Sequence, residues 1–157
     1  MTVLTGCCTC GATAYVLSAP PLVTHCCHCT WCQRESGSAF ALNAVIEVGA
    51  FALTRGRTVA HRLPSASGNG QVVHRCGGCG VTLYSLYSRP FLLFVRVGTL
   101  DDPAEVEPDL HIFTSTKQPW VRLPEGARAF AEYYDPRVEW SAEATARFLG
   151  AKEEAGF

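Results

Sequence analysis

No sign of charge dominates this chain: 13 lysines and arginines stand against 14 aspartates and glutamates, a net charge of -1. A field that weak does not gather phosphate backbones or anionic lipid, so neither a nucleic acid nor a membrane surface is expected as a partner. Long hydrophobic runs are missing too. The densest apolar stretch, 91–95, is stopped by Arg96, far short of the roughly 18 residues that span a bilayer. No internal repeat or long low-complexity tract occurs. Beyond Cys79 there is no cysteine at all. Leu4, Thr5, Gly6 and Cys7 resemble a lipoprotein cleavage string, but no basic or apolar signal region precedes them, and the expectation is a mature cytoplasmic protein.

What is present fits one globular unit. The 157 residues suit a single domain, and a composition 48% hydrophobic and 17% charged can bury a core. Short β-rich runs at 13–17, 40–48, 59–63, 71–75, 81–86, 92–97 and 110–114 are separated mostly by Gly, Pro, Ser or Asn. With no long helical pattern between them, they predict a mainly antiparallel β fold. Residues 64–70 read as a loop. A short helical turn is expected after Cys32, and a peripheral tail helix over 142–149, with Ser141 as its N-cap and Gly150 just past its end.

Nine cysteines, an odd number, crowd into the first half of the chain. In a reducing compartment, close pairs of this kind hold metal more often than they form disulfides. Three local chelates stand out: Cys8-Thr9-Cys10, Cys27-His28-Cys29 followed by Cys32, and Cys76-Gly77-Gly78-Cys79. The two glycines of the last let the backbone wrap so that both sulfurs reach one ion at about 2.3 Å. A structural zinc wants four ligands, so that pair needs another. Cys8 and Cys10 are the natural partners, because this pairing leaves the middle group whole and because Gly11 and Gly80 follow their pairs alike; spacing alone does not prove it.

The middle group, Cys27, Cys29 and Cys32, offers three thiolates and leaves a fourth position for water or substrate, as a working zinc requires. Three thiolates blunt the ion's power to make hydroxide but suit it to a soft sulfur ligand, so a thiol fits better than a peptide. The competing reading closes this site with His25 or His28 as a Cys3His structural centre. Cys7 and Cys26 sit beside proposed ligands and read as small buried hydrophobes or spare thiols.

The arrangement resembles the family of glutathione-dependent formaldehyde-activating enzymes and their relatives, which share a domain with a centromere protein. The resemblance is carried by Cys8-Thr9-Cys10-Gly11, by Cys27-His28-Cys29-Thr30-Trp31-Cys32-Gln33-Arg34 with Ser36-Gly37, and by Cys76-Gly77-Gly78-Cys79-Gly80 with Thr82 and Leu83. Later come Gly98-Thr99-Leu100-Asp101-Asp102-Pro103, His111-Ile112, Lys117 and Pro119-Trp120. It implies an Mss4-like β-tent of small coiled antiparallel sheets pinned by zinc, with residues 1–125 as the zinc-binding domain and 126–157 as an extension packed on it. It also implies two zinc ions: a structural one on Cys8, Cys10, Cys76 and Cys79, and a catalytic one on Cys27, Cys29 and Cys32.

The activity so implied is that of a carbon-sulfur lyase, joining formaldehyde to the sulfur of glutathione or reversing that step. Glutathione enters through the resemblance alone, for no contact motif for it is readable. Arg34, Ser36, His111 and Lys117 are candidates to serve the developing alkoxide, and Trp31 and Trp120 are either pocket walls or core. Two other functions stay open: a non-catalytic zinc-binding interaction module, and a thiol redox sensor.

Overall fold

The computed structural model describes residues 3–157. Ten strands form two sheets. Strands β1 (Leu4–Cys7), β2 (Ala14–Leu17) and β5 (Phe51–Arg55) make a small sheet in the order β1-β2-β5. The second has seven strands, ordered β10-β3-β4-β9-β8-β7-β6. These are β3 (Val23–Cys27), β4 (Ala41–Glu47), β6 (Thr58–Leu63), β7 (Gln71–Cys76), β8 (Thr82–Leu86), β9 (Leu92–Arg96) and β10 (Leu110–Ile112). The architecture is mainly β, as expected, and all strand pairs are antiparallel except one: β10 runs parallel to β3, with His111 opposite Cys26.

The two faces of the large sheet have different work, and strand alternation assigns it. On one face Ala44, Ile46, Leu93 and Val95, all buried, pack with Leu4, Tyr15 and Leu17 of the small sheet. On the other face Asn43, Val45, Leu92, Phe94 and Arg96 border a cavity. The registers His25↔Asn43 and Asn43↔Arg96 bring β3, β4 and β9 into line there.

Tight packing shows at Gly6 of β1. A Cβ at that position would lie 2.4 Å from ring atoms of Tyr15 and 2.5 Å from the Thr99 carbonyl oxygen. Neither the buried ring nor the backbone can yield cheaply, so Gly6→Ala is expected to destabilise the fold by about 1–3 kcal/mol. A melting midpoint equal to that of the parent would contradict this packing.

Helix α1 (Thr30–Ser36) starts earlier than the turn expected after Cys32, because the Cys29 side chain caps it by accepting from the Cys32 amide. It stops at Gly37, whose φ of 64° suits glycine. After β10 come a single turn, α2 (Pro136–Glu139), and α3 (Ala142–Glu154) capped by Ser141. Two expectations are corrected here. Helix α3 runs through Gly150, because Ala151 packs on the second core cluster and Phe157 closes on Phe91 at 5.8 Å. The tail is also more than peripheral: Ala144 is buried, Phe148 packs with Trp140, and Arg147 pairs with Glu47 at 2.6 Å.

Candidate functional site

The β1–β2 loop delivers Cys8 and Cys10, and the β7–β8 turn delivers Cys76 and Cys79. All four sulfurs lie within 4.8 Å of one another. The two loops are built alike: Gly11 N–H donates to Cys8 O at 2.9 Å and Gly80 N–H to Cys76 O at 3.0 Å, with φ of 70° and 75° at the two glycines. A tetrahedral ion 2.3 Å from each sulfur holds sulfurs about 3.8 Å apart. The Cys8–Cys10 and Cys10–Cys76 separations are 3.5 and 3.9 Å, so the donor set fits zinc. Cys76 is poised as a thiolate: the Thr13 hydroxyl and then the amides of Cys79 and Gly78 pull its pKa down to about 5. Val81 and Cys10 amides lower that of Cys79.

The second group forms where β3 runs into α1, with Cys27 at the strand end, Cys29 as the cap and Cys32 in the first turn. Its sulfurs also lie within 4.8 Å of one another. Neighbouring thiols of Cys27 and Cys32, then the Cys32 amide, hold the Cys29 pKa low, while the same crowding drives that of Cys27 up. A bound cation would favour the thiolate form of all three. The trio fits a zinc ion as well.

No histidine joins it. His25 Nε2 shares a 2.6 Å hydrogen bond with the Tyr134 hydroxyl, to which Trp140 Nε1 donates at 2.6 Å. His28 and Cys26 turn to the opposite face of β3, where His28 Nε2 lies 3.2 Å from His111 Nδ1. Cys26 is buried as expected; Cys7 is not, and half-exposed it reaches Asp101 at 3.5 Å.

Above the trio opens a cavity of about 590 Å³, whose lining includes Cys27, Cys29 and Cys32. None of the four candidates for serving an alkoxide reaches it. Arg34 is exposed, Ser36 donates to Cys32 O at 2.7 Å as a helix-end bond, His111 faces His28, and Lys117 donates to the carbonyls of Gln118 and Val121. Trp120 is 70% exposed and is therefore neither core nor cavity wall, whereas Trp31 does line the cavity.

Two cations line the cavity, Arg89 at the exposed rim and the half-buried Arg96, and neither is among the residues the sequence marked as candidates. Arg96 donates to Asn43 Oδ1 and, at 2.9 Å, to Glu35 Oε2. Glu35, with a side chain 5% exposed, also accepts from Arg75 at 3.0 Å and Thr82 at 2.9 Å, tying α1 to three strands. Buried Arg96 Nε has no partner among the described residues. The only sequence trace of this arrangement is Arg96 itself, a charge ending an apolar run.

Fold and site together define a small β protein with two sulfur clusters able to hold metal, one of them at the floor of a cavity. The family described as glutathione-dependent formaldehyde-activating enzyme matches residues 3–116, and the chain belongs to that family. No curated protein matches. Among solved structures, the crystal structure of a Rhodobacter sphaeroides protein is similar at 22% identity and a TM-score of 0.49, covering 66% of this chain and 91% of that one.

Proposed function

We propose that the chain is a zinc-dependent carbon-sulfur lyase that forms or cleaves a thiol–aldehyde adduct of the S-hydroxymethylglutathione kind. The observation that carries this reading is the three-sulfur group at the floor of the cavity, which no fourth Cys, His, Asp or Glu among the described residues completes. Cys27, Cys29 and Cys32 take the catalytic zinc; Cys8, Cys10, Cys76 and Cys79 take a structural one. Bound in the trio, zinc would supply the positive charge that favours the thiolate form of a substrate thiol.

The substrate sulfur attacks the aldehyde carbon, the carbonyl π pair moves to oxygen, and the thiol's proton ends on that oxygen. Atoms and charge balance, and the product is the hydroxyalkyl thioether. Arg96, oriented by Glu35 and Asn43, offers N–H donors from the wall toward the oxygen as charge develops. A cavity of this size beside the open trio favours catalysis over an interaction module or a redox sensor. No helix of the described residues is long and apolar enough to cross a membrane, and all nine cysteines are free, which supports work in the cytoplasm.

The test follows label exchange between formaldehyde and its thiol adduct by nuclear magnetic resonance, with zinc-loaded protein and a panel of thiols including glutathione. Exchange above the uncatalysed rate is expected; its absence with every thiol sinks the reading. Arg96→Lys, which keeps the charge and loses the fork, is expected to lower kcat by about a hundredfold with zinc content unchanged.

A further inference from the structure

The upper wall of the cavity comes from residues beyond the family's matched span of 3–116. Glu132, Tyr133 and Trp140, in the segment leading to α3, line the cavity together with the trio. That segment is anchored rather than draped: Tyr134 is 7% exposed, bonds His25, and stacks on Tyr133 with ring centroids 4.7 Å apart. Trp31, Leu92, Phe94, Ile112 and Phe113 complete the apolar lining, with the Phe113 ring 6.3 Å from that of Tyr133. Phe113 is held at a φ of 55°, a region bulky side chains avoid, so the ring's placement is maintained against backbone strain.

Charge along the lining is sparse and already committed. Arg96 is bound to the buried Glu35, and Glu132 accepts from Ser115 at 2.7 Å. Arg89, at the exposed rim, has its guanidinium 5.0 Å above the Phe148 ring. His25 Nε2 is already engaged by the Tyr134 hydroxyl at 2.6 Å. Glutathione brings two carboxylates and an ammonium. Arg89 can meet one carboxylate and Arg96 is taken by Glu35 and the reacting oxygen, so the second carboxylate and the ammonium find no unpaired counter-charge on the lining, and desolvating them there is costly.

We infer that this site, on the lyase reading above, takes adducts of a thiol bearing a bulky apolar, ring-containing group, and that the segment containing Tyr133 and Trp140 sets this preference. The group sits against Tyr133, Phe113, Trp140 and Phe94, while its sulfur reaches toward the trio. A volume of about 590 Å³ accommodates an aromatic thiol and an aldehyde together. Aromatic walls reward a ring with apolar contact at little conformational cost, and they offer glutathione's charged ends no counter-charge.

The experiment compares 2-phenylethanethiol with glutathione by calorimetry on the zinc-loaded protein, then by formaldehyde exchange. The aromatic thiol is expected to bind about tenfold to a hundredfold tighter. Tyr133→Ala should erase at least about threefold of that affinity and leave metal content intact. Val138→Ala, in the same segment but 75% exposed and away from the cavity, should change neither. Equal or tighter binding of glutathione, binding of neither thiol, or an unmoved affinity in Tyr133→Ala overturns the inference. The two proposals fail separately. A higher kcat/KM with glutathione would sink this preference and leave the lyase reading standing, whereas tight binding of the aromatic thiol without exchange would sink the lyase reading and uphold the preference.

Discussion

Replacing Cys76 with serine is expected to yield a chain that no longer unfolds cooperatively at ordinary temperature. Its sulfur lies 3.9 Å from that of Cys10 and accepts hydrogen bonds from Thr13 and the Gly78 amide, so the turn between β7 and β8 and the loop after β1 meet at this atom. In zinc-finger peptides a four-ligand structural zinc contributes an apparent free energy of about 10–16 kcal/mol at neutral pH, as large as the roughly 5–15 kcal/mol that holds a whole domain together. Serine is a poor ligand for the ion and leaves three thiolates crowded without full compensation. Thermal melting followed by circular dichroism, with metal analysis on the same sample, checks this. A cooperative transition at the parent's midpoint would show that the cluster does not hold a stabilising ion.

Cys29→Ser should behave in the opposite way, keeping the fold and losing the reaction. Cys29 is only half-buried, at the edge of the second core cluster, while its sulfur serves the trio and caps α1 by accepting from the Cys32 amide at 3.3 Å. Serine is itself a good helix cap, so α1 survives. Metal content should fall from two ions to one, and thiol–aldehyde exchange should drop by at least about two orders of magnitude, since even outer-shell changes cost 10- to 100-fold. Unchanged turnover with both ions retained would remove the trio from the chemistry. The two substitutions form a pair: one costs the fold, the other only the function.

Seven of the ten strands were legible because alternation and Gly or Pro punctuation mark them. Strand β3 was not. Its five residues, Val23–Cys27, are all buried, so no alternation shows, and its cysteines read as a chelate rather than as a strand. Strand β5 was hidden for the reverse reason, since four of its five residues are exposed. The parallel β10–β3 pair joins segments far apart in sequence, a match that no local signal encodes. The sulfur groups could be read because a chelate is a local object, with its ligands two or three residues apart. Arg96, Asn43 and Glu35 could not, because they meet only through the registers of β4 with β9 and the docking of α1. Lys117 and His111 looked equally chemical, and the fold turns both away from the cavity.

Glu35 has one more consequence. It bolts the C-terminal end of α1 to three strands, while from the middle of the helix the Gln33 amide clasps the carbonyls of His28 and Thr116 at 2.6 and 2.9 Å. The loop bearing the trio is therefore rigid before any ion arrives, and an ion leaving it takes no scaffolding along. The other cluster is itself the rivet between two loops. A mild chelator should thus strip the protein in two stages, first silently and reversibly, then with collapse.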